Sequence, residues 1–537
     1  NMDPQRMRQE ITMSFKLNGF SIRRESSMFL TEELKSYSTD ERNKWIEKII
    51  AHIQNQGLLQ PVVEKSHVEL AFKECSSSGR DENETIFNVI NVFEIPKFNY
   101  VVERKRFIKD DENSSKVDLY PDPKWKAQHL IDRYTLICQR TRRNKLFAPE
   151  TLPGIKQDKV FNLKMVENLL SSSSRVDEVI VLGLLTQLTE GVYYLEDPTG
   201  SVSLDFTSTR FHSGLFTENC FVLAEGYYED LVLHVMGLVM PPAEPRATSQ
   251  IYFGNVNTYG GPSKTLLKNS ENLMQIEKEN EDAMIIFLSD VWLDNLKVMS
   301  KLRCLFSGYN DFPPVAVVLL GEFLSRPYGH ETAETLRTAL RGLGELVAQF
   351  PQLAATCKFV LVPSSSDPGA ANMLPRPPLP QYVTEEIRNK LGDGVVMASN
   401  PCRLQYCSQE IVVLRHDLVT KMCRNSVHFP ESGDIPDHLT KTLLSQCTLT
   451  PLPLGVQPVY WQHADGLSLY PVPDVVIIAD HFQPYARTHQ TCHFVNPVSY
   501  YCPKIFKYER CAIDSFYWVG RFFLTSPILL TNTTAHL

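Results

Sequence analysis

The stretch Met284–Ile285–Ile286–Phe287–Leu288–Ser289–Asp290–Val291–Trp292–Leu293–Asp294 decides how the longer half of this chain is read. An unbroken apolar run meets a polar step at Ser289–Asp290. Similar runs recur at Val315–Leu320, Phe359–Val362, Val395–Met397, Ile411–Leu414 and Val475–Ile478. Runs this short, rich in Val and Ile and bounded by turn residues, predict strands buried on both faces. Helical patterns such as 332–349 lie between several of them. The spacing predicts a layered α/β domain over residues 283–502. Residues 363–380 hold six prolines and predict an extended loop inside it.

Working outward, residues 176–245 predict five short strands. Glu196–Asp197–Pro198–Thr199–Gly200 supplies a tight turn between Val192–Leu195 and Val202–Phe206. Such a unit fits an OB-type barrel over residues 171–282, connector included. Tyr193, Tyr194, Tyr227 and Tyr228 could stack bases there, but the stretch is acidic and a purely structural barrel is expected. Residues 1–95 predict a helical domain. Its clearest helix runs from Asp40, with Trp45, Ile46, Ile49, Ile50 and Ile53 on one face, and a second stripe is read at Ile86, Phe87, Ile90 and Phe93. Residues 96–170 predict a basic linker. Between 97 and 145 there are 13 Lys or Arg against 7 Asp or Glu, a local net of +6 in a chain of net −8. Arg104, Lys105, Arg106, Arg140, Arg142, Arg143 and Lys145 are the candidate nucleic-acid contacts; a solvated linker face is the competing reading.

Composition narrows the function classes. With 43% hydrophobic residues in 537, the chain can build several cores and is not a disordered polymer. No apolar run reaches the roughly 18–20 residues of a membrane span; the longest, 516–530, is broken by Arg521. No signal peptide is read at the N-terminus, and Met2, after Asn1, is expected as the start. The 12 cysteines contain no C-x-x-C pair, and Cys402/Cys407 is a lone C-x4-C. Reduced, mostly buried thiols in a cytosolic or nuclear protein are expected, with no structural zinc. Phosphate-loop, dinucleotide, zinc-protease and serine-hydrolase motifs are all missing, so no cofactor is expected.

In α/β sheets chemistry collects where strands end. The residues there, in order, are Ser289–Asp290–Val291–Trp292, Gly321–Glu322–Phe323–Leu324–Ser325, Ser364–Ser365–Ser366–Asp367, Arg415–His416–Asp417 and Ala479–Asp480–His481–Phe482. This order resembles the calcineurin-like metallophosphoesterases, which place D-x-H, G-D-x-x-D, G-N-H-D/E and G-H-x-H after successive strands. In that superfamily these side chains hold two metals about 3.5–4 Å apart. The positions that correspond here are Asp290, Trp292, Glu322, Asp367, Asp480 and His481. Trp292 replaces a histidine and donates only. Ser325 replaces the distal carboxylate, and neither Asn nor His precedes Asp367. The resemblance therefore implies a phosphoesterase sandwich without its metal site, with no catalytic residue and no bound metal. His416–Asp417 matches none of the motifs and is expected to be structural. A residual phosphodiesterase using Asp290, Glu322 and His481, or a single-strand-binding OB protein, is the alternative.

A barrel followed by such a domain resembles the B-subunits of the eukaryotic replicative DNA polymerases. Longer words point to the epsilon branch: residues 194–200, 211–215 and 220–226 in the barrel, then 287–294, 400–403, 421–425 and 449–454. The fold class implied is multidomain α+β: an N-terminal helical domain similar to the lid of AAA+ ATPases, an OB barrel and an inactive calcineurin-like sandwich. The resemblance implies a nuclear, noncatalytic accessory subunit that scaffolds the C-terminal cysteine-rich region of the catalytic subunit of DNA polymerase epsilon in leading-strand replication. Small histone-fold subunits and the replicative helicase assembly are the further partners it implies, with DNA met through the complex and no membrane. Residues 503–537 depart from the family pattern, and no function is placed on residues 510–537.

Overall fold

The computed structural model describes residues 4–55, 62–76, 84–110, 122–148, 161–263, 265–280, 282–326, 332–497 and 520–523. Four helices open the chain: Pro4–Leu17, Arg24–Glu33, Thr39–Asn55 and Lys65–Ser76. They close over Ile11, Phe15, Leu30, Ile49, Ile53 and Val68. The predicted stripe of the third helix is the face that is buried: Ile46, Ile49, Ile50 and Ile53 all enter this core.

The second predicted stripe is corrected. Phe87–Asn91 is a strand followed by a single 3-10 turn, and it pairs antiparallel with Cys402–Tyr406. Phe87 and Val89 pack between two sheets, while Ile90 packs on the opposite face. A strand covered on both faces shows no alternation, so its apolar residues imitated helical spacing.

The segment expected as a linker holds a hairpin, Phe98–Val101 with Arg106–Lys109, and the 20-residue helix Lys124–Arg143. The barrel follows, with strands Val176–Thr189, Val192–Asp197, Gly200–Asp205, Phe221–Glu229 and Val232–Val239. The last strand also pairs parallel with Gly200–Asp205, which closes the sheet on itself. Its predicted tight turn is held by Asp197, whose Oδ1 accepts from the backbone N–H groups of Thr199 (2.8 Å) and Gly200 (3.2 Å). At Gly226 the register slips, and a Cβ there would sit 1.9 Å from the His234 carbonyl oxygen, so only glycine fits this bulge.

The α/β half has four layers. One sheet runs Val395–Met397, Lys358–Val362, Ala316–Leu320, Met284–Ser289, Gly520–Phe523. Its first four strands are parallel and the last is antiparallel. The other sheet runs Tyr485–His489, Cys492–Asn496, Val475–Ala479, Gln409–Arg415, Cys402–Tyr406, Phe87–Asn91. The two face each other across Phe287, Val318, Val360, Leu404, Val413 and Ile477. Helices Leu296–Tyr309, Thr332–Val347 and Gln381–Leu391 cover the outside of the first sheet. Helices Leu418–Arg424 and Ile435–Gln446 cover the second. The predicted buried strands are thus all present. Of the tail, only Gly520–Phe523 is among the described residues; the rest of residues 503–537 lies outside them.

Candidate functional site

The carboxyl ends of four strands, two from each sheet, meet at Arg415. Its guanidinium is only 3% exposed. Nη2 lies 2.8 Å from Asp290 Oδ1, after the first strand, and Nε donates to the Gly321 carbonyl oxygen at 2.5 Å, after the second. Nη1 donates to Asp417 Oδ1 at 3.0 Å and to the Ala479 carbonyl oxygen at 3.2 Å. Asp290, 1% exposed, holds the left-handed backbone with φ 55°, a strained state for a non-glycine residue that aims its carboxylate inward. Burial disfavours the charge of Arg415, but Asp290 and then Asp417 outweigh it and raise its pKa. Glu322 adds to the same pull.

His481 stands at the rim, 47% exposed, with Nδ1 2.9 Å from Asp417 Oδ1 and Nε2 3.5 Å from Asp290 Oδ2. Its hydrogen bond to Asp417 is the main reason its pKa is raised. Burial works against ionisation of Asp417, yet the His481 hydrogen bond and Arg415 hold its carboxyl well below the ordinary range.

Asp290 and His481 are therefore brought together around Arg415, whereas Glu322 accepts from the Ser366 hydroxyl at 2.7 Å and reaches the cluster only through its charge, and the other expected positions are tied up elsewhere. Asp367 accepts from the backbone N–H groups of Phe323 (2.9 Å) and Ser364 (2.7 Å) and ties two loops together. Asp480 accepts from Val419 (2.7 Å) and Phe482 (2.9 Å) at the start of a helix. Burial raises the pKa of both carboxyls. Trp292 packs against the core beneath the helices of the first sheet. Ser325 donates to Asp294 Oδ2 at 2.6 Å. The residues do not fit a two-metal clamp. Asp367 and Asp480 serve backbone amides, Trp292 can only donate, Glu322 takes the Ser366 hydroxyl, and the Arg415 guanidinium sits between Asp290 and Asp417.

Sequence reasoning missed Arg415 and gave Asp417 no part in this cluster. The available signal was an arginine directly after the apolar run Ile411–Leu414, at the buried end of a strand, where a charge must have a buried counter-charge.

The basic candidates divide. Arg140 is corrected: it is 2% exposed, and its guanidinium donates to the carbonyl oxygens of Leu444 (3.1 Å) and Ser445 (2.5 Å) at the end of helix Ile435–Gln446. Arg143 is corrected as well. It pairs with Glu244 at 2.7 Å and lies over the Tyr252 ring at 3.7 Å. Both are consumed by internal acceptors. Arg104, Lys105, Arg142 and Lys145 are exposed and Arg106 is half-buried. The hairpin and the helix end are drawn together through Tyr252, whose carbonyl oxygen accepts from the Phe107 N–H at 2.9 Å.

The barrel is locked to the α/β half. The Gln446 side chain pairs with both backbone groups of Phe221, accepting at 2.7 Å and donating at 2.8 Å. Thr442 Oγ1 accepts from Leu215 N–H at 2.8 Å, and His438 Nδ1 from Gly214 N–H at 2.9 Å. Strand Phe216–Thr217 pairs with Ser426–His428. Beside this joint lies a cleft of about 1070 Å³, lined by Arg210, Phe211 and His212 of the barrel and by His428, Lys441 and His489 opposite. The Phe211 and His428 rings stack across it, 4.4 Å apart at 13°.

Three family models match the chain in order. The N-terminal domain of DNA polymerases epsilon matches residues 3–75, the OB-fold domain of DNA polymerase epsilon subunit 2-like proteins matches 123–242, and the B-subunit family of DNA polymerases alpha and epsilon matches 285–487. DNA polymerase epsilon subunit 2 of Homo sapiens is 46% identical over 504 residues, covering 93% of this chain and 95% of that protein. Its Drosophila melanogaster counterpart is 44% identical, covering 92% and 94%. The DNA polymerase epsilon B-subunit of Saccharomyces cerevisiae is 27% identical, covering 86% and 79%. A solved archaeal phosphodiesterase overlays 40% of this chain and 84% of its own at 12% identity, with a TM-score of 0.21. From its first helix through the strand-end cluster, the chain belongs to the family of DNA polymerase epsilon B-subunits, also called subunit 2.

Proposed function

We propose that the chain is a noncatalytic accessory subunit of DNA polymerase epsilon, working in the nucleus in leading-strand replication. It holds the cysteine-rich C-terminal region of the catalytic subunit along the joint between barrel and α/β half. The small histone-fold subunits and the replicative helicase assembly are its further neighbours, and the N-terminal helices, similar to an AAA+ lid, reach toward them. The observation that carries this reading is the Arg415–Asp290 ion pair at the place where hydrolytic chemistry would need metals. A sandwich kept without that chemistry is kept for its surface. The cleft beside Phe211 and His428 offers concavity, aromatic surface and charge in one place. The test is co-purification of the full chain with the catalytic subunit's cysteine-rich region. Retention is expected, weakened at least tenfold by Phe211→Ala with His428→Ala, since aromatic anchors dominate such contacts. Undiminished retention by that double variant moves the docking surface elsewhere.

A second reading has its own support. Arg104, Lys105, Arg106, Arg142 and Lys145 come from two elements drawn together at Tyr252, a local basic face on an acidic molecule. DNA contact there predicts affinity that falls steeply with salt and a shallower slope once Arg104 and Lys105 become Gln. A salt-independent curve removes the reading.

A further inference from the structure

We infer that Arg415 is a tethered replacement for the metals of the ancestral sandwich, a built-in cation that pins the four strand ends together. The inference concerns the strand-end cluster and stands whether or not the catalytic subunit docks at the cleft. A metal pair would neutralise converging carboxylates and fix the loops that carry them. Arg415 meets both needs here. Its charge faces Asp290 at 2.8 Å and Asp417 at 3.0 Å. The same planar fork reaches the Gly321 and Ala479 carbonyl oxygens, so one side chain joins the two sheets. Its own backbone is fixed by Asn400, whose Oδ1 accepts from Arg415 N–H at 3.0 Å and whose Nδ2 donates to Arg415 O at 2.7 Å. Five hydrogen-bond donors in a rigid plane suit this task, and an ammonium would not replace them. The guanidinium also occupies the space in front of Asp290, so a divalent ion has no seat there while Arg415 remains.

Two observations on the full chain test this. The first needs no variant: 1 mM MnCl2 and excess EDTA should each leave the thermal midpoint within about one degree. A drop of several degrees in EDTA overturns the inference, because a metal then holds the strand ends. The second is a double-mutant cycle. Arg415→Met leaves Asp290 buried without its partner and should lower the folded-to-unfolded ratio by roughly a hundredfold to a thousandfold. Adding Asp290→Asn removes the orphaned charge and should regain at least tenfold of that loss. Losses in the double variant equal to the product of the two singles would show no coupling and overturn it. If Arg415→Met does not accumulate as folded protein, the EDTA experiment decides alone.

Discussion

Arg140 and Arg142 stand two residues apart on one helix and are expected to behave oppositely. The Arg140 guanidinium closes the last turn of helix Ile435–Gln446, where unpaired carbonyl groups and the helix dipole both favour a cation. Arg140→Ala should cost roughly 2–4 kcal/mol in urea unfolding, since it strands buried acceptors. Arg142→Ala, at an exposed position, should stay within about 0.5 kcal/mol. His416 carries a pH prediction. Burial, helped by Lys421 whose ammonium donates to Nε2 at 3.1 Å, lowers its pKa from 6.5 to about 4. The unfolded chain takes up this proton near pH 6.5 and the folded chain only near 4. Stability is therefore full above pH 6.5 and falls as pH drops toward 4, by roughly 3 kcal/mol at most. Burial lowers His129, His463 and His489 as well, so His416→Gln should make the fall of the urea midpoint across that window shallower without abolishing it, and an unchanged slope would mean that the other groups carry it. Nothing in the sequence separated Arg140 from Arg142, because composition reports charge but not which acceptor lies opposite.

At the scale of elements, legibility followed burial geometry. The strands at Met284, Ala316, Lys358 and Val475 were readable because each carries an unbroken apolar run inside a sheet and ends at a turn or polar residue, whereas Asn88 interrupts Phe87–Asn91. The edge strand Phe87–Asn91 was not readable, because the residues it pairs with lie some 300 positions away, and local periodicity cannot report such a partner. Arg415 was hidden for a related reason: metal-ligand vocabulary has no place for arginine, and its acceptors come from three other segments. The joint between barrel and α/β half was likewise silent in the sequence. Gln446 acts there as a substitute strand, satisfying the Phe221 N–H and carbonyl groups together. Gln446→Leu should leave both buried groups unpaired and cost about 2–4 kcal/mol. Limited proteolysis should then cut between residues 240 and 285 faster than in the parent chain; equal rates would show that the strand pairing at Phe216–Thr217 suffices.

Taken as a whole molecule, the chain combines a net charge of −8 with a barrel locked to a sandwich and a strand-end cluster whose cation is part of the polypeptide. The OB-type barrel and the mixed α/β character were legible because turn chemistry, buried runs and long matching words all agreed. The cleft proposed for docking was not, since a cleft between two domains belongs to neither segment alone. At this scale the sandwich is expected to persist without hydrolysis. The most direct test is turnover of bis-p-nitrophenyl phosphate by the full chain in Mn²⁺. No rate above buffer is expected, for the parent chain and for Asp290→Ala alike; measurable turnover that vanishes in Asp290→Ala would show that the sandwich still hydrolyses.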